Sequence, residues 1–380
     1  MIGRCGRLLW ATLALLLGVT LVVAAVPTTA WVRVFEEPGY SAFFDFTVAA
    51  DGTIIAVGAT NHRHMPPYGG DALLMALDAE GNVLWERTWG GDGVEQARSI
   101  LPAEDGLYVF GETASFGAEE RDFFLLKTTM EGEELWFRMY GTEVREWPYG
   151  MIRLENGDLF LFGMARSATQ GDDAYAVRVA PDGAVVWEYA PTSSAGELIL
   201  DAVEAADGSI VLSLSIGRDG GLRALEPDGT VRWSRRYEVD GWEFPSAMLV
   251  SDTGYLLAGF TMDESASRRQ ANVWLAEADA LGELQWARSL GEALHDDYAQ
   301  SLAWLSDGTV LIGGLGRGMP LFNVDTDGGL LWELRREDMS VHATMAVAEV
   351  DPGGVLVCGM KQVTPGQLYQ GVIWRIAIPR

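Results

Sequence analysis

The chain has 380 residues, 48% hydrophobic and 21% charged, enough to bury one large core or two ordinary ones. Its net charge of −27 sets up a field that repels phosphate backbones and anionic lipid, so nucleic-acid binding and membrane-surface binding are excluded as leading functions. With two cysteines, Cys5 in the N-terminal apolar segment and Cys358 in the body, no disulfide framework is available.

Arg4 and Arg7 precede an apolar run from Leu8 to Ala25, and small residues follow at Val23-Ala24-Ala25 and Thr28-Thr29-Ala30. This order of charge, apolar run and small residues predicts a signal peptide over residues 1–25, with an uncleaved anchor as the alternative. The mature protein, residues 26–380, is expected to be secreted or periplasmic and to touch no membrane beyond the export segment. The next segment, "AWVRVFEE" around Trp31, reads as a strand.

From there the chain repeats. Gly-x-x-x-Trp occurs at Gly81/Trp85, Gly132/Trp136, Gly183/Trp187, Gly229/Trp233, Gly282/Trp286 and Gly328/Trp332. An earlier turn signal precedes each pair: Asp51-Gly52, Asp105-Gly106, Asn156-Gly157, Asp207-Gly208, Thr253-Gly254 and Asp307-Gly308; Gly353-Gly354 follows the last Trp. Between these turns lie short apolar runs such as "TIIAVG", "LYVFG" and "TVLIGG", then "DALLMALD", "DFFLLKT" and "PLFNVD". Asp-Gly and Asn-Gly between runs of strand length signal hairpins, because such turns need positive φ. Each unit of roughly 50 residues therefore holds four antiparallel strands, A to D, which is one propeller blade. The seventh unit ends at Arg380 without a D strand, and the strand at Trp31 supplies one. The expected fold is all-β: one seven-bladed β-propeller of four-stranded antiparallel blades, closed by the N-terminal strand on the C-terminal blade. Cleavage after Ala25 suits this closing strand better than cleavage after Ala30.

"ALDAEGNVLW" and "ALEPDGTVRW" resemble the Trp-docking repeats of the quinoprotein-like propeller superfamily, and the longer unit from Trp89 to Trp136 resembles bacterial secreted β-propeller repeats. The resemblance covers the chain beyond residue 30 and implies the fold rather than an activity. Quinone-dependent members usually have eight blades, looser C–D hairpins and, in many cases, an adjacent cysteine pair. This chain departs on each count, so a quinone cofactor is not expected. An envelope-assembly scaffold is a further role that the resemblance offers.

Candidate chemistry falls on five features. Seven recurrent Trp on strand D point to packing between blades rather than ligand stacking. Ten residues before each A–B turn stand Glu95, Glu146, Glu197, Glu243 and Asp297, with Ser41 and Ala343 in the other two units. Oxygen ligands in a ring would suit a cation such as calcium; the competing reading has each acid accepting local N–H bonds. The four histidines, His62, His64, His295 and His342, fall in expected B–C and D–A connections of blades 6, 7 and 1. His295, Asp297 and His342 form the candidate acid–base set. Trp147 and Trp242, with Tyr149 and Phe244, lie in or near D–A connections on the same face, where with His62 and His64 they suit a binding surface. Short B–C loops in blades 4 and 6 would notch that rim. "NVDTDGG" imitates the start of a calcium loop but lacks the acid at position twelve, so it reads as a turn.

No nucleophile, phosphate-loop or zinc motif is present. The expectation is a non-catalytic, monomeric binding module for a protein or glycan, with an extracytoplasmic enzyme as the alternative.

Overall fold

The computed structural model describes residues 27–35, 42–60, 70–118, 120–167, 171–191, 196–237, 241–262, 270–291, 296–336, 342–364 and 368–378. The expected signal segment, residues 1–25, and Ser41, His62, His64 and His295 lie outside the described residues.

The first strand, β1 (Thr28–Phe35), is followed by strands in groups of four. The first group is β2 (Ala42–Val48), β3 (Ile54–Ala59), β4 (Ala72–Leu77) and β5 (Val83–Trp89). The second is β6 (Glu95–Ala103), β7 (Gly106–Thr113), β8 (Asp122–Thr128) and β9 (Glu134–Tyr140). The third is β10 (Arg145–Arg153), β11 (Leu159–Ser167), β12 (Gly171–Val179) and β13 (Val185–Tyr189). The fourth is β14 (Glu197–Glu204), β15 (Ile210–Ile216), β16 (Asp219–Leu225) and β17 (Val231–Tyr237). The fifth is β18 (Trp242–Val250), β19 (Gly254–Met262), β20 (Ala271–Asp279) and β21 (Leu284–Leu290). Each of these five groups is a separate antiparallel sheet in chain order.

The last strands are β22 (Tyr298–Trp304), β23 (Val310–Gly316), β24 (Leu321–Val324), β25 (Leu330–Leu334), β26 (His342–Asp351), β27 (Gly354–Thr364) and β28 (Leu368–Ala377). β22 to β25 pair in order, and β26 to β28 pair in order with β1 added antiparallel to β28. A short bridge of Leu315 and Gly316 to Ala343 and His342 links the two sets.

Second and third strands are buried almost throughout, as in β3, β4, β7 and β15, because neighbouring sheets cover both of their faces. That is why their sequences are continuous apolar runs rather than alternating ones. Each apolar cluster joins two successive sheets: Ile55 and Leu74 meet Val109 and Leu126, and Leu356 and Ile373 of the last set meet Phe43 and Ile54 of the first. The arrangement is all-β and that of a β-propeller.

The Gly-x-x-x-Trp repeat acquires a physical reason here. The glycines of the C–D hairpins have φ between 76° and 86°, a region unfavourable to L side chains. Each also lies under the indole of the preceding sheet's outer strand. A Cβ added at Gly81, Gly132, Gly229, Gly282 or Gly328 would sit 2.7–3.0 Å from Trp31, Trp85, Trp187, Trp233 or Trp286, and one at Gly183 would sit 3.2 Å from Trp136. Glycine and tryptophan four residues apart are thus not partners of each other; each serves a neighbouring sheet. The Trp indoles are held further: Trp31 Nε1 donates to Ala79 O and Trp187 Nε1 to Pro227 O. An arginine two residues on, on the same strand face, covers the ring at 5.5–5.8 Å for Trp31, Trp85, Trp136, Trp233 and Trp286. This is packing between sheets, as the repetition predicts.

Candidate functional site

The predicted ring of acids keeps its register, since Glu95 and Glu197 each open an innermost strand and the others stand at or beside one. All five are 0–8% exposed, and each has local partners. Glu95 accepts from Gly91 N and Thr113 Oγ1, and Glu146 from Thr142 N and Oγ1. Glu197 is held by Arg223 at 2.7 and 3.1 Å, Glu243 accepts from Thr261 Oγ1, and Asp297 takes both terminal nitrogens of Arg335 at 2.9 and 2.8 Å. The acids' backbone amides reach across: Glu95, Glu146, Glu243 and Asp297 donate to carbonyls of the preceding sheet at Gly70, Arg121, Arg218 and Ala271. Among the described residues no group of three or more His, Cys, Asp or Glu could hold a metal ion. Burial lifts Glu146 to about 7, against the Thr142 bonds, and also raises Glu243. Each of the two has one oxygen without a hydrogen-bond partner.

Counting back from the last A–B turn reaches Ala343, but the residue that opens β26 is His342. A second bulge in β26, between Glu349 and Asp351, adds a residue to that strand and offsets the count. His342 is therefore not in a loop: its backbone pairs with Lys361 and Gly316. Asp297, its proposed acid–base companion, is buried and engaged by Arg335, so it offers no free carboxylate. The "NVDTDGG" segment is a turn, with Asp325 Oδ1 accepting from Asp327 N and Gly329 N.

The feature that sequence reasoning missed lies three residues beyond the acids. The innermost strands β2, β6, β10, β14, β18, β22 and β26 each carry a bulge at one level. The residues extruded there are Phe44, Arg98, Tyr149, Leu200, Gln300 and Met345, with the pair Pro245-Ser246 in β18. A bulge re-aims its side chain out of the sheet's alternation. Here Phe44, Arg98, Tyr149, Leu200, Ser246, Gln300 and Met345 converge on one central cavity of about 300 Å³. Trp147, Phe244 and Met248 complete much of its wall. Trp147 and Tyr149 are thus strand residues of the cavity rather than loop residues. Trp242 is elsewhere: it opens β18, and Arg218 lies over its ring at 5.3 Å.

Residues following the bulge tie the sheets together. Asp45 Oδ2 accepts from Ser99 Oγ and Ile100 N, Asp201 Oδ2 from Met248 N, and Ser301 Oγ from Val347 N, each partner lying on a later innermost strand. Burial raises Asp45 to about 6 and Asp201 to about 7, although the backbone amides that bond them pull the other way.

Arg98 is the cation of the cavity. Its guanidinium lies 4.1 Å from the Phe44 ring centroid and 5.6 Å from that of Trp147, whose ring also carries Arg145 at 4.4 Å. The nearby carboxylate, Glu112, is buried; its Oε1 accepts from Arg121 at 2.8 Å, and its Oε2 lies 3.9 Å from Arg145 without a hydrogen bond. Arg98 Nε is buried without a hydrogen-bond partner. Desolvation lowers the Arg98 pKa, which marks the cost of a charge held among aromatic rings. A chain of net charge −27 therefore concentrates Arg98, Arg121 and Arg145 around one buried acid beside its central cavity.

No family model and no curated relative matches the chain. Among solved structures, the WD40 domain of Pan2 from Neurospora crassa superposes with a TM-score of 0.60 at 10% identity, over 93% of this chain and 96% of that one. YCF48 bound to D1 peptide gives 0.56 at 14%, over 94% and 98%. The β-propeller domain of the trilobed protease from Pyrococcus furiosus gives 0.50 at 12%, over 91% and 97%. At these identities the likeness concerns the fold, and the fold is a β-propeller.

Proposed function

We propose that this chain is an exported, seven-bladed, closed β-propeller that acts as a non-catalytic binding module, and that its ligand is a segment of another polypeptide inserted into the central cavity. The cavity carries the reading: seven innermost strands each extrude a residue into one space, and the resulting wall is aromatic and aliphatic with a few polar groups. Such a lining is typical of binding pockets. Two further observations support the ring. β1 pairs with β28 through Phe35–Gly371 and Trp31–Arg375, and Trp31 covers Gly81 as each later Trp covers the next hairpin. One structural neighbour, YCF48, binds a peptide in its solved structure, the D1 peptide. Export rests on the N-terminal segment, residues 1–25.

Panning a displayed random-peptide library against the purified domain tests this. Peptides recovered on the wild type should bind at least tenfold more weakly to Met345→Trp, which fills the cavity, while that variant keeps its melting temperature. Failure to recover any binder, or binders indifferent to the filling, would refute the reading.

A further inference from the structure

The cavity holds an excess of positive charge, with Arg98, Arg121 and Arg145 around the single carboxylate of Glu112. Arg98 lines it, makes no hydrogen bond to a described residue, and has a buried Nε without an acceptor. The neighbouring acid, Glu112, bonds Arg121 through one oxygen at 2.8 Å, and its other oxygen, 3.9 Å from Arg145, has no hydrogen-bond partner, so a single carboxylate serves three guanidinium groups. Asp201, also in the wall, accepts from Ala202 N and Met248 N at 2.8 and 2.7 Å, so its oxygens are occupied. A guanidinium pairs best with a planar oxyanion that receives two parallel N–H bonds. The occupant must also be small, because about 300 Å³ is the lower end of ligand-pocket sizes. It must carry little negative charge, since the whole molecule repels polyanions.

From these constraints we infer that the cavity receives the C-terminal carboxylate of a peptide with an apolar last residue, and that Arg98 is the group that binds it. A chain end enters as a single strand, whereas an internal Asp or Glu would need a loop of two strands in the same space. Phe44, Trp147, Leu200, Phe244 and Met345 supply the apolar wall for the last side chain. The inference rests on the binding reading above and names the ligand of that site.

The test compares N-acetylphenylalanine with N-acetylphenylalaninamide by titration calorimetry and ligand-observed NMR. The wild type should favour the acid by tenfold or more. Arg98→Met should bind both weakly and alike, and Arg98→Lys should restore part of the preference. Unliganded Arg98→Met should melt at or above the wild-type temperature, because an uncompensated cation has been removed. Equal binding of acid and amide to the wild type would overturn the inference, as would a preference retained in Arg98→Met. Displacement of the acid by an equal concentration of inorganic phosphate would also overturn it, in favour of a general anion site. If acid and amide bind alike but Met345→Trp still abolishes the displayed peptides, the binding reading stands and this assignment falls.

Discussion

Gly282 gives the sharpest test of how the sheets are fastened. Its φ is +79°, and an added Cβ would lie 2.7 Å from Trp233 Cζ3 and 2.9 Å from Cη2. Gly208, in an A–B turn, has nearly the same φ, +78°, but nothing within 4 Å of the same Cβ. The left-handed conformation should cost either alanine about 1–2 kcal/mol. Gly282→Ala must in addition push the indole off the hairpin, an overpacking cost of about 1–3 kcal/mol. Urea denaturation followed by far-UV circular dichroism should therefore show Gly282→Ala less stable than Gly208→Ala by that second amount. In a Trp233→Ala background the excess should vanish, because the clashing partner is gone. Equal losses at the two glycines, or an excess that survives Trp233→Ala, would refute the claim that Gly and Trp are coupled across sheets.

Removal of residues 26–35 should expose the edge of β28 and strip Val32, Val34 and Trp31 from the apolar clusters they pack against, giving aggregation and a lower melting temperature on size exclusion and calorimetry. Because β1 begins at Thr28 and Trp374 Nε1 bonds Thr29 Oγ1, the proposed export predicts that mass spectrometry of protein recovered outside the cytoplasm finds Val26 rather than Trp31 at the N-terminus. Asp201 has its pKa raised by burial to about 7, so the folded state holds its proton to higher pH than the unfolded chain does. Its contribution to stability is present below about pH 4 and is lost as pH rises through 7; Asp201→Asn should remove a decline on the order of 4 kcal/mol in denaturation series from pH 4 to 8. Arg335→Met should cost about 3–5 kcal/mol by leaving Asp297 buried and unpaired, and Asp297→Asn in the same chain should recover much of it.

The placement of strands was legible in the sequence. Asp-Gly turns and unbroken apolar runs require hairpins whose middle strands are covered on both faces, and the Gly-x-x-x-Trp spacing marks each hairpin and the strand it enters. The acids at Glu95, Glu146, Glu197, Glu243 and Asp297 were also found at their register positions. Their roles were legible in part: Glu95 and Glu146 accept local N–H bonds as one of the two readings had it, but the arginine partners of Glu197 and Asp297 lie 26 and 38 residues away and meet them only in space. The cavity was hidden for a related reason. Strand alternation assigns every second side chain to one face, and a bulge breaks that alternation at one residue without a fixed sequence signal, so Trp147, Tyr149 and Phe244 stood out only as aromatics near connections, whereas Phe44, Arg98 and Leu200 drew no notice in the sequence. Their offset of three from the ring acids was the available clue. The sequence by itself determined the repeat, its turns and its apolar strands, since these depend on local φ and on burial pattern. Only the tertiary structure decided which side chains meet at the centre and leave Arg98 without an acceptor, since that depends on bulges and on contacts between distant sheets.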